Sequence, residues 1–406
     1  MTDSLLSDNR WDAGERWLLP EGVEEYLPQQ AERLESLRRE LLNLFHSWGY
    51  ELVIPPLIEY LESLLVGAGH ELDLETFKLI DQSTGRLMGV RADMTPQVAR
   101  IDAHRLRREA PTRLCYLDTV LLTRQDGFAR SRTPLQLGAE LYGHAGIESD
   151  IEMLRLMTET LRVTGLKEFY LDLGHVGIFR SLARQAQLDS GQEQLLFDAL
   201  QRKAKPEIEE FLDTISIDKA LSRMLVGLVE LNGDHGVLDE AQSLLAGAGT
   251  DVQQALDNLQ RIARMARSQL SGVPMHFDLA ELRGYRYQSG VVFAAFAPGH
   301  GQEIARGGRY DEIGRLFGRP RPATGFSSDL KTLMALSPPL DYAPRTILAP
   351  VSECEVLQRK IRQLRQQGER VVGALPQQAG SIAELGCDRR LEKKGSDWVV
   401  VPVAQV

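Results

Sequence analysis

Between Gln29 and Trp48 the apolar residues Leu34, Leu37, Leu41, Leu44, Phe45 and Trp48 recur at helical spacing, and Gly49 ends the run. That pattern predicts an amphipathic helix. "YELVI" predicts a strand that stops at Pro55 and Pro56. "TFKLI" and "RLMGVR" flank the turn "DQSTG" and predict a hairpin, after which Thr95 is placed to cap a helix starting at Pro96. A second hairpin is predicted in "VLLTRQDGFARSRTPLQLGAELYG", residues 120–143. In its second strand Leu135, Leu137, Ala139 and Leu141 fall on one face, which suits a core, and Gln136, Gly138, Glu140 and Tyr142 on the other. The second face has the make-up of a pocket floor. Gly138 leaves room for a small polar ligand, with its ammonium on Glu140 and its other polar groups on Gln136.

Further along, "SDIEMLRLMTETLRVTG" has Ser149 and Glu152 at capping-box spacing and Gly165 at the helix end. "KEFYLDLG" returns to a strand, and residues 178–271 read as a helical insertion. Strands resume in "MHFDLAELRGYRYQSGVVFAAF", "GGRYD" reads as a turn, and "TGFSSDLKTLMAL" as a strand end plus helix. The proline-rich "SPPLDYAP" marks a linker. Beyond it, residues 344–406 give a strand, a helix and two strands, a small α/β C-terminal unit. Residues 1–177 and 272–336 are then the core, and hairpins interleaved with helices predict an α+β fold, a largely antiparallel sheet flanked by helices.

Composition narrows the function. The 406-residue chain can bury a large core, and its net charge of -10 disfavours general nucleic-acid binding, which needs a basic surface. No apolar run is long enough to span a bilayer, and the start "MTDSLLSDNR" lacks the order of a signal peptide, so no membrane role and a cytoplasmic location are expected. Cys115, Cys354 and Cys387 are too scattered for a zinc knuckle or a redox pair. His144 and His175 lie beside glycines without a nearby dyad partner and read as structural.

Six stretches in order resemble the motifs of class II aminoacyl-tRNA synthetases, most closely the histidyl branch, over residues 20 to 340. "WGYELVIPPLIE" resembles the first class motif and "VRADMTPQVAR" the loop that holds a substrate amino group. The hairpin at 120–143 resembles the second class motif. "LRGYRYQSGVVF" and "GGRYD" resemble the two histidine-specific motifs, and "TGFSSDLKTLMAL" the third class motif. The resemblance implies that residues 344–406 are a reduced anticodon-binding-like unit. It also implies a histidine pocket: Asp93 and Thr95 around the ammonium, Gln136 and Glu140 on the floor, Arg283, Tyr287 and Tyr310 around carboxylate and imidazole, and Arg130 in a loop. Asp93 stands where glutamate is usual, and Gln288 where a second tyrosine is.

The ATP side departs from the pattern. Leu122 replaces the arginine that grips the α-phosphate, Arg124 a glutamate that reads adenine, and Thr332 the arginine that holds the far phosphates. Adenylation depends on neutralising phosphoryl charge, and arginines in that role are typically worth about 10³ in rate. A kept histidine pocket beside a lost ATP site resembles the regulatory subunits of ATP phosphoribosyltransferase. That resemblance implies a non-catalytic protein without a cofactor of its own. It would pair with a short-form catalytic subunit in a hetero-oligomer, form a homodimer through the first-motif region Gln29 to Glu59, and take L-histidine as effector. The rival expectations are an active histidyl-tRNA synthetase and another class II paralogue.

Overall fold

The computed structural model describes residues 17–66, 70–124, 131–215, 217–285, 287–338, 346–382 and 384–403. The chain divides into two compact units, residues 1–338 and 339–406.

The first unit is built on a nine-stranded sheet. Its spatial order is Glu51–Leu52, Thr112–Thr119, Leu135–Tyr142, Ala323–Asp329, Glu303–Arg309, Val291–Phe296, Tyr170–His175, Met275–Asp278 and Asn232–Gly233. All neighbours are antiparallel except Glu51–Leu52 with Thr112–Thr119 and Tyr170–His175 with Met275–Asp278. The alternation read from the sequence decides which face is which. Leu137, Ala139 and Leu141 point with Cys115, Leu117 and Phe326 into the larger core, under the helices Pro28–Ser47, Ile147–Val163, Val176–Gln185 and Thr250–Gln269. The first of these helices buries Leu37, Leu41 and Phe45, one stripe of an otherwise polar cylinder. Leu114, Tyr116, Tyr142 and Tyr310 point the other way, into a smaller cluster with Met94, Val98, Ile313 and Phe317.

The segment 178–271 is mostly helical, adds the short strand Asn232–Gly233 to the sheet edge, and belongs to the same compact unit, since Leu196, Leu225, Leu256 and Leu259 join the larger core. A three-stranded sheet of Ile58–Tyr60, Leu87–Val90 and Lys78–Ile80 carries the first hairpin. Among the described residues no helix is long and apolar enough to cross a membrane.

In the second unit the strands Arg370–Gly373, Thr346–Ala349, Cys387–Lys394 and Asp397–Pro402 lie side by side in that order. The helix Glu355–Gln366 sets Leu357, Ile361 and Leu364 against Ile347, Val371 and Leu391. The strand Cys387–Lys394 was not expected. Its sequence "CDRRLEKK" is charged at most positions, and only Cys387 and Leu391 are buried.

Three local expectations fail, two because a side chain finds another partner and one because the backbone stays in a strand. The helix Ile147–Val163 is preceded by Gly146, and its Ser149 is already inside the first turn. Ser149 Oγ donates to Gly146 O at 2.7 Å and accepts from Arg309 Nη2 at 2.8 Å, while Glu152 is held by Arg113 at 2.7 and 2.8 Å, so no capping box forms. Thr95 is the first residue of the helix Thr95–Arg100 and not its cap. "GGRYD" is no turn, because Gly307, Gly308 and Arg309 close the strand Glu303–Arg309.

Arg309 shows what that strand end is for. It is 5% exposed and ion-paired with Asp150 at 3.0 Å, and it also donates to the carbonyls of His144 at 3.2 Å and Gly146 at 3.0 Å. Removing one partner of a buried pair leaves the other charge unsolvated, a loss of about 3–5 kcal/mol, while an exposed arginine is worth ~1 kcal/mol or less. Arg309→Leu should therefore lower the denaturant midpoint strongly, and Arg306→Ala, on the exposed face of the same strand, should leave it nearly unchanged. Equal midpoints for the two variants in urea titrations would contradict the assigned role of Arg309.

Candidate functional site

The register of the central strands brings a carboxylate and four tyrosines together. Thr112–Thr119 and Leu135–Tyr142 pair Leu114 with Glu140, Tyr116 with Gly138 and Asp118 with Gln136. Ala323–Asp329 pairs Gly325 with Glu140 on the other side. Two glycines make this possible. A β-carbon at Gly138 would overlap the Tyr116 ring, and one at Gly325 would overlap the Glu140 carboxylate, which lies across it. The space at Gly138, expected to hold a ligand, thus belongs to Tyr116.

Glu140 is 1% exposed. It accepts hydrogen bonds from Tyr116 Oη at 2.9 Å and from Tyr310 Oη. Thr95 Oγ1 lies 3.1 Å from Tyr116 Oη, which explains why its hydroxyl caps nothing. Tyr287 stacks on Tyr310 with centroids 5.0 Å apart, and Tyr142 meets Tyr310 edge-on at 6.5 Å. The hydroxyls of Tyr142 and Tyr287 are buried and have no hydrogen-bonding partner among the described residues. Orphan groups of this kind are rare in folded interiors and mark a place where a ligand or water completes the network.

Electrostatics sharpen the picture. Burial pushes the Glu140 carboxyl up to about 8, the phenol hydrogen bonds pull the other way, and the nearby Asp93 charge adds to the rise. Burial and the Glu140 charge drive all four phenols well above their ordinary range, so they stay protonated. The site can therefore accept a proton or a cation deep in the sheet, with aromatic faces around it.

A second acceptor lies at the edge. Asp93 Oδ1 accepts from Gln136 Nε2 at 2.7 Å and from the Thr95 amide at 3.0 Å, and Gln136 Oε1 accepts from the Met94 amide at 2.9 Å. Both side chains are half-buried. Asp93, Thr95, Gln136, Glu140, Tyr287 and Tyr310 are thus brought together as the sequence suggested. Tyr142 joins them on the pocket-floor face that the alternation gave it, and Tyr116 joins them unannounced. Tyr142 shares the alternation of Gln136 and Glu140 and was legible, whereas Tyr116 depends on a cross-strand register that the long connection between the strands conceals.

Arg283 is not brought to this cluster. Its Nη2 pairs with Glu281 at 3.0 Å, its Nη1 faces Glu303 at 3.7 Å, and the guanidinium lies 4.9 Å from the Phe296 centroid. Glu303 opens the strand Glu303–Arg309 and Tyr310 follows its far end, roughly 20 Å away. Arg283 was expected within a sheet and instead occupies a turn between Met275–Asp278 and Val291–Phe296. Arg130 lies outside the described residues. On the expected phosphate side Leu122 is buried and bridges to Thr76, Arg124 is exposed, and the Thr332 hydroxyl donates to Asp329 Oδ2 at 2.7 Å. His175 accepts from the Gly177 amide at 3.1 Å as a helix cap, and burial lowers it to about 4. His144 faces Ser149 Oγ at 3.2 Å.

Comparison with known proteins gives a consistent result for both units. The histidyl-tRNA synthetase family model matches residues 22–333, and the model for the ATP phosphoribosyltransferase subunit HisZ C-terminal domain matches residues 344–401. An ATP phosphoribosyltransferase regulatory subunit from Thioalkalivibrio sulfidiphilus is 60% identical over 95% of this chain and 98% of its own length. One from Alkalilimnicola ehrlichii is 57% identical over 98% and 100%. Among solved structures, the ATP phosphoribosyltransferase regulatory subunit/histidyl-tRNA synthetase of Bacillus halodurans superposes with a TM-score of 0.80 at 27% identity, covering 91% of this chain and 95% of that one. Histidyl-tRNA synthetase from Nostoc sp. PCC 7120 has the same fold, with a TM-score of 0.76 at 18% identity over 95% of this chain and 97% of that one.

The raised Glu140 value has a consequence for stability. The folded chain holds this proton up to about pH 8, while an unfolded glutamic acid loses it near 4.5. Between those values the folded state binds more protons, so stability falls as pH rises, at ~1.4 kcal/mol per pH unit for this one group. Glu140→Gln, which keeps an acceptor for the phenols, should melt higher than the wild type at pH 8 and equal it at pH 4.5. Parallel melting curves for the two proteins across that range, followed by differential scanning fluorimetry, would show that Glu140 is not held in its neutral form.

Proposed function

The chain belongs to the ATP phosphoribosyltransferase regulatory subunit family, on a histidyl-tRNA synthetase fold, and from that premise we propose that it binds L-histidine and reports it to a catalytic chain. That catalytic chain is the short form of the enzyme, which condenses ATP with phosphoribosyl pyrophosphate at the first step of histidine biosynthesis. The observation that carries the reading is the buried Glu140 among Tyr116, Tyr142, Tyr287 and Tyr310, with Asp93 and Gln136 at its edge.

This geometry supports the ammonium position that the resemblance implies, at Asp93, over the strand reading that put the ammonium on Glu140. A flat imidazole suits the aromatic cage. Its free pKa of about 6.5 and the raised value of Glu140 allow the two to share one proton as a charge-assisted hydrogen bond. The ammonium suits the half-buried Asp93 and Gln136, where less desolvation is demanded. The orphan hydroxyls of Tyr142 and Tyr287 are then available to the ring nitrogens.

The reading is non-catalytic because Leu122 and Thr332 stand at the two positions where arginines are expected to grip phosphate. Leu122 is buried and its backbone bridges to Thr76, and Thr332 is tied to the acidic cap of its own helix. Leu52, Ile54, Leu57 and Ile58 expose a large apolar surface in the first-motif region, which supports a homodimer formed there. Inhibition then requires that histidine bind the inhibited arrangement of the complex better than the active one, with a typical coupling of ~1–3 kcal/mol.

Purified alone, the chain should scatter light as a dimer and should not exchange pyrophosphate into ATP when histidine is supplied. A monomer at micromolar concentration would remove the dimer, and exchange at a rate usual for synthetases would remove the non-catalytic reading.

With the catalytic chain added, Glu140→Ala should assemble and turn over, yet need at least two orders of magnitude more histidine for half-inhibition. That estimate follows from the ~3–5 kcal/mol lost when one side of a buried charged pair is removed. Gln136→Ala should shift the same curve by about 2- to 10-fold, the worth of a neutral hydrogen bond. If both variants are folded and inhibited like the wild type, the effector site lies elsewhere.

A further inference from the structure

The segment between Met275–Asp278 and Val291–Phe296 faces two ways. Tyr287 turns toward the pocket and stacks on Tyr310. Two residues earlier, Tyr285 turns toward the helices that follow Tyr170–His175. Its ring sits 5.3 Å from both Phe179 and Phe197, and its hydroxyl donates to Glu193. Phe179 lies on the helix Val176–Gln185, and Glu193 and Phe197 lie on Ser190–Gln201.

The backbone of this strap is held as firmly as its side chains. Arg180, also on Val176–Gln185, donates through Nη2 to the carbonyls of Tyr285 at 2.5 Å and Gln288 at 3.0 Å, which flank Tyr287. The same guanidinium lies 4.8 Å from the Tyr285 centroid. Both the Tyr287 and Gln288 amides donate to Gly284 O at 2.7 Å, and the Ser289 amide reaches Arg309 O at 2.6 Å, beside Tyr310. A tight turn fixed at both ends transmits displacement. If Tyr287 moves when the pocket fills, Tyr285 and the carbonyls gripped by Arg180 must move with it, because a packed interior shifts between discrete arrangements and does not deform smoothly.

Resting on the pocket reading above, we infer that this strap couples the histidine pocket to the helical insertion, with Arg180, Glu193 and Tyr285 acting as positioning residues for Tyr287. The insertion is then the element on which occupancy of the pocket is displayed. Coupling of this kind is reciprocal, so whatever holds the helices Val176–Gln185 and Ser190–Gln201 in place also sets the affinity for histidine.

The test uses the full chain with L-histidine. Tyr285→Phe and Glu193→Ala remove the phenol–carboxylate bond and keep the ring packing, and Leu195→Ala, at an exposed position on the same helix, serves as control. Calorimetry should give histidine binding weakened roughly five-fold or more in the first two variants and unchanged in the third, with melting temperatures alike. In hydrogen–deuterium exchange, histidine should slow exchange across residues 190–201 of the wild type, and Tyr285→Phe should abolish that protection while still binding ligand at saturation. A purely structural contact would change melting and leave this protection in place. Wild-type affinity in both variants, or exchange at 190–201 indifferent to histidine, overturns the strap, provided that the wild type binds histidine and Glu140→Ala does not. If the wild type itself fails to bind histidine, the pocket reading falls and the strap with it.

Discussion

Glu140 holds a carboxyl group inside a sheet, where desolvation would cost several kcal/mol if the group were charged and alone. Much of the local architecture answers that cost. Two phenols donate to it, a third and a fourth close the cage, and Gly325 leaves the carboxylate room to lie flat on the neighbouring strand. The remaining penalty is met by a proton, which is why the group titrates so high. On the function proposed above, a carboxyl biased toward neutrality by burial suits a ligand that brings its own charge and proton. That requirement narrows the ligand class more than shape alone does.

Arginine tells the same story from the other side. Where the sequence lacks arginines expected to meet phosphate, the fold has kept others as internal clamps. Arg91 ties Pro55 O at 2.7 Å to Thr119 O and Asp118, both at 2.8 Å, so the first-motif segment is fixed to the hairpin that carries Tyr116. Arg321 pairs with Asp102 at 2.9 Å behind the pocket helix. Arg283 is occupied by Glu281 and faces Glu303. Guanidinium groups already engaged by carboxylates and carbonyls are poor hosts for a nucleotide, and here they serve rigidity.

How much of this was legible in the chain depended on the range of the determining contact. The alternation in Leu135–Tyr142 identified both faces, because strand periodicity is local, and Gln136 and Glu140 followed from it. Thr95 was recognised as important for the wrong reason: its hydroxyl meets Tyr116, across a gap in sequence that no local rule spans. "GGRYD" was misread since glycines usually signal turns, whereas here they thin a central strand that packs closely against its neighbours. Arg283 looked like a pocket residue within a strand, and only the turn that carries it shows that it points to other carboxylates. The strand Cys387–Lys394 was hidden by its charge.

The overlap between Gly325 and Glu140 also bears on how the chain can change over generations. Any side chain at 325 meets both the Glu140 carboxylate and, at 2.8 Å, the backbone carbonyl of Ala139, so a mutation there stays obstructed even in a background that has given up Glu140. Loss of Glu140 first leaves the Tyr310 hydroxyl without its acceptor, while Tyr116 keeps Thr95 Oγ1 at 3.1 Å. The glycine is therefore the more constrained of the two positions, and a lineage on this fold can change the carboxylate sooner than the glycine beside it.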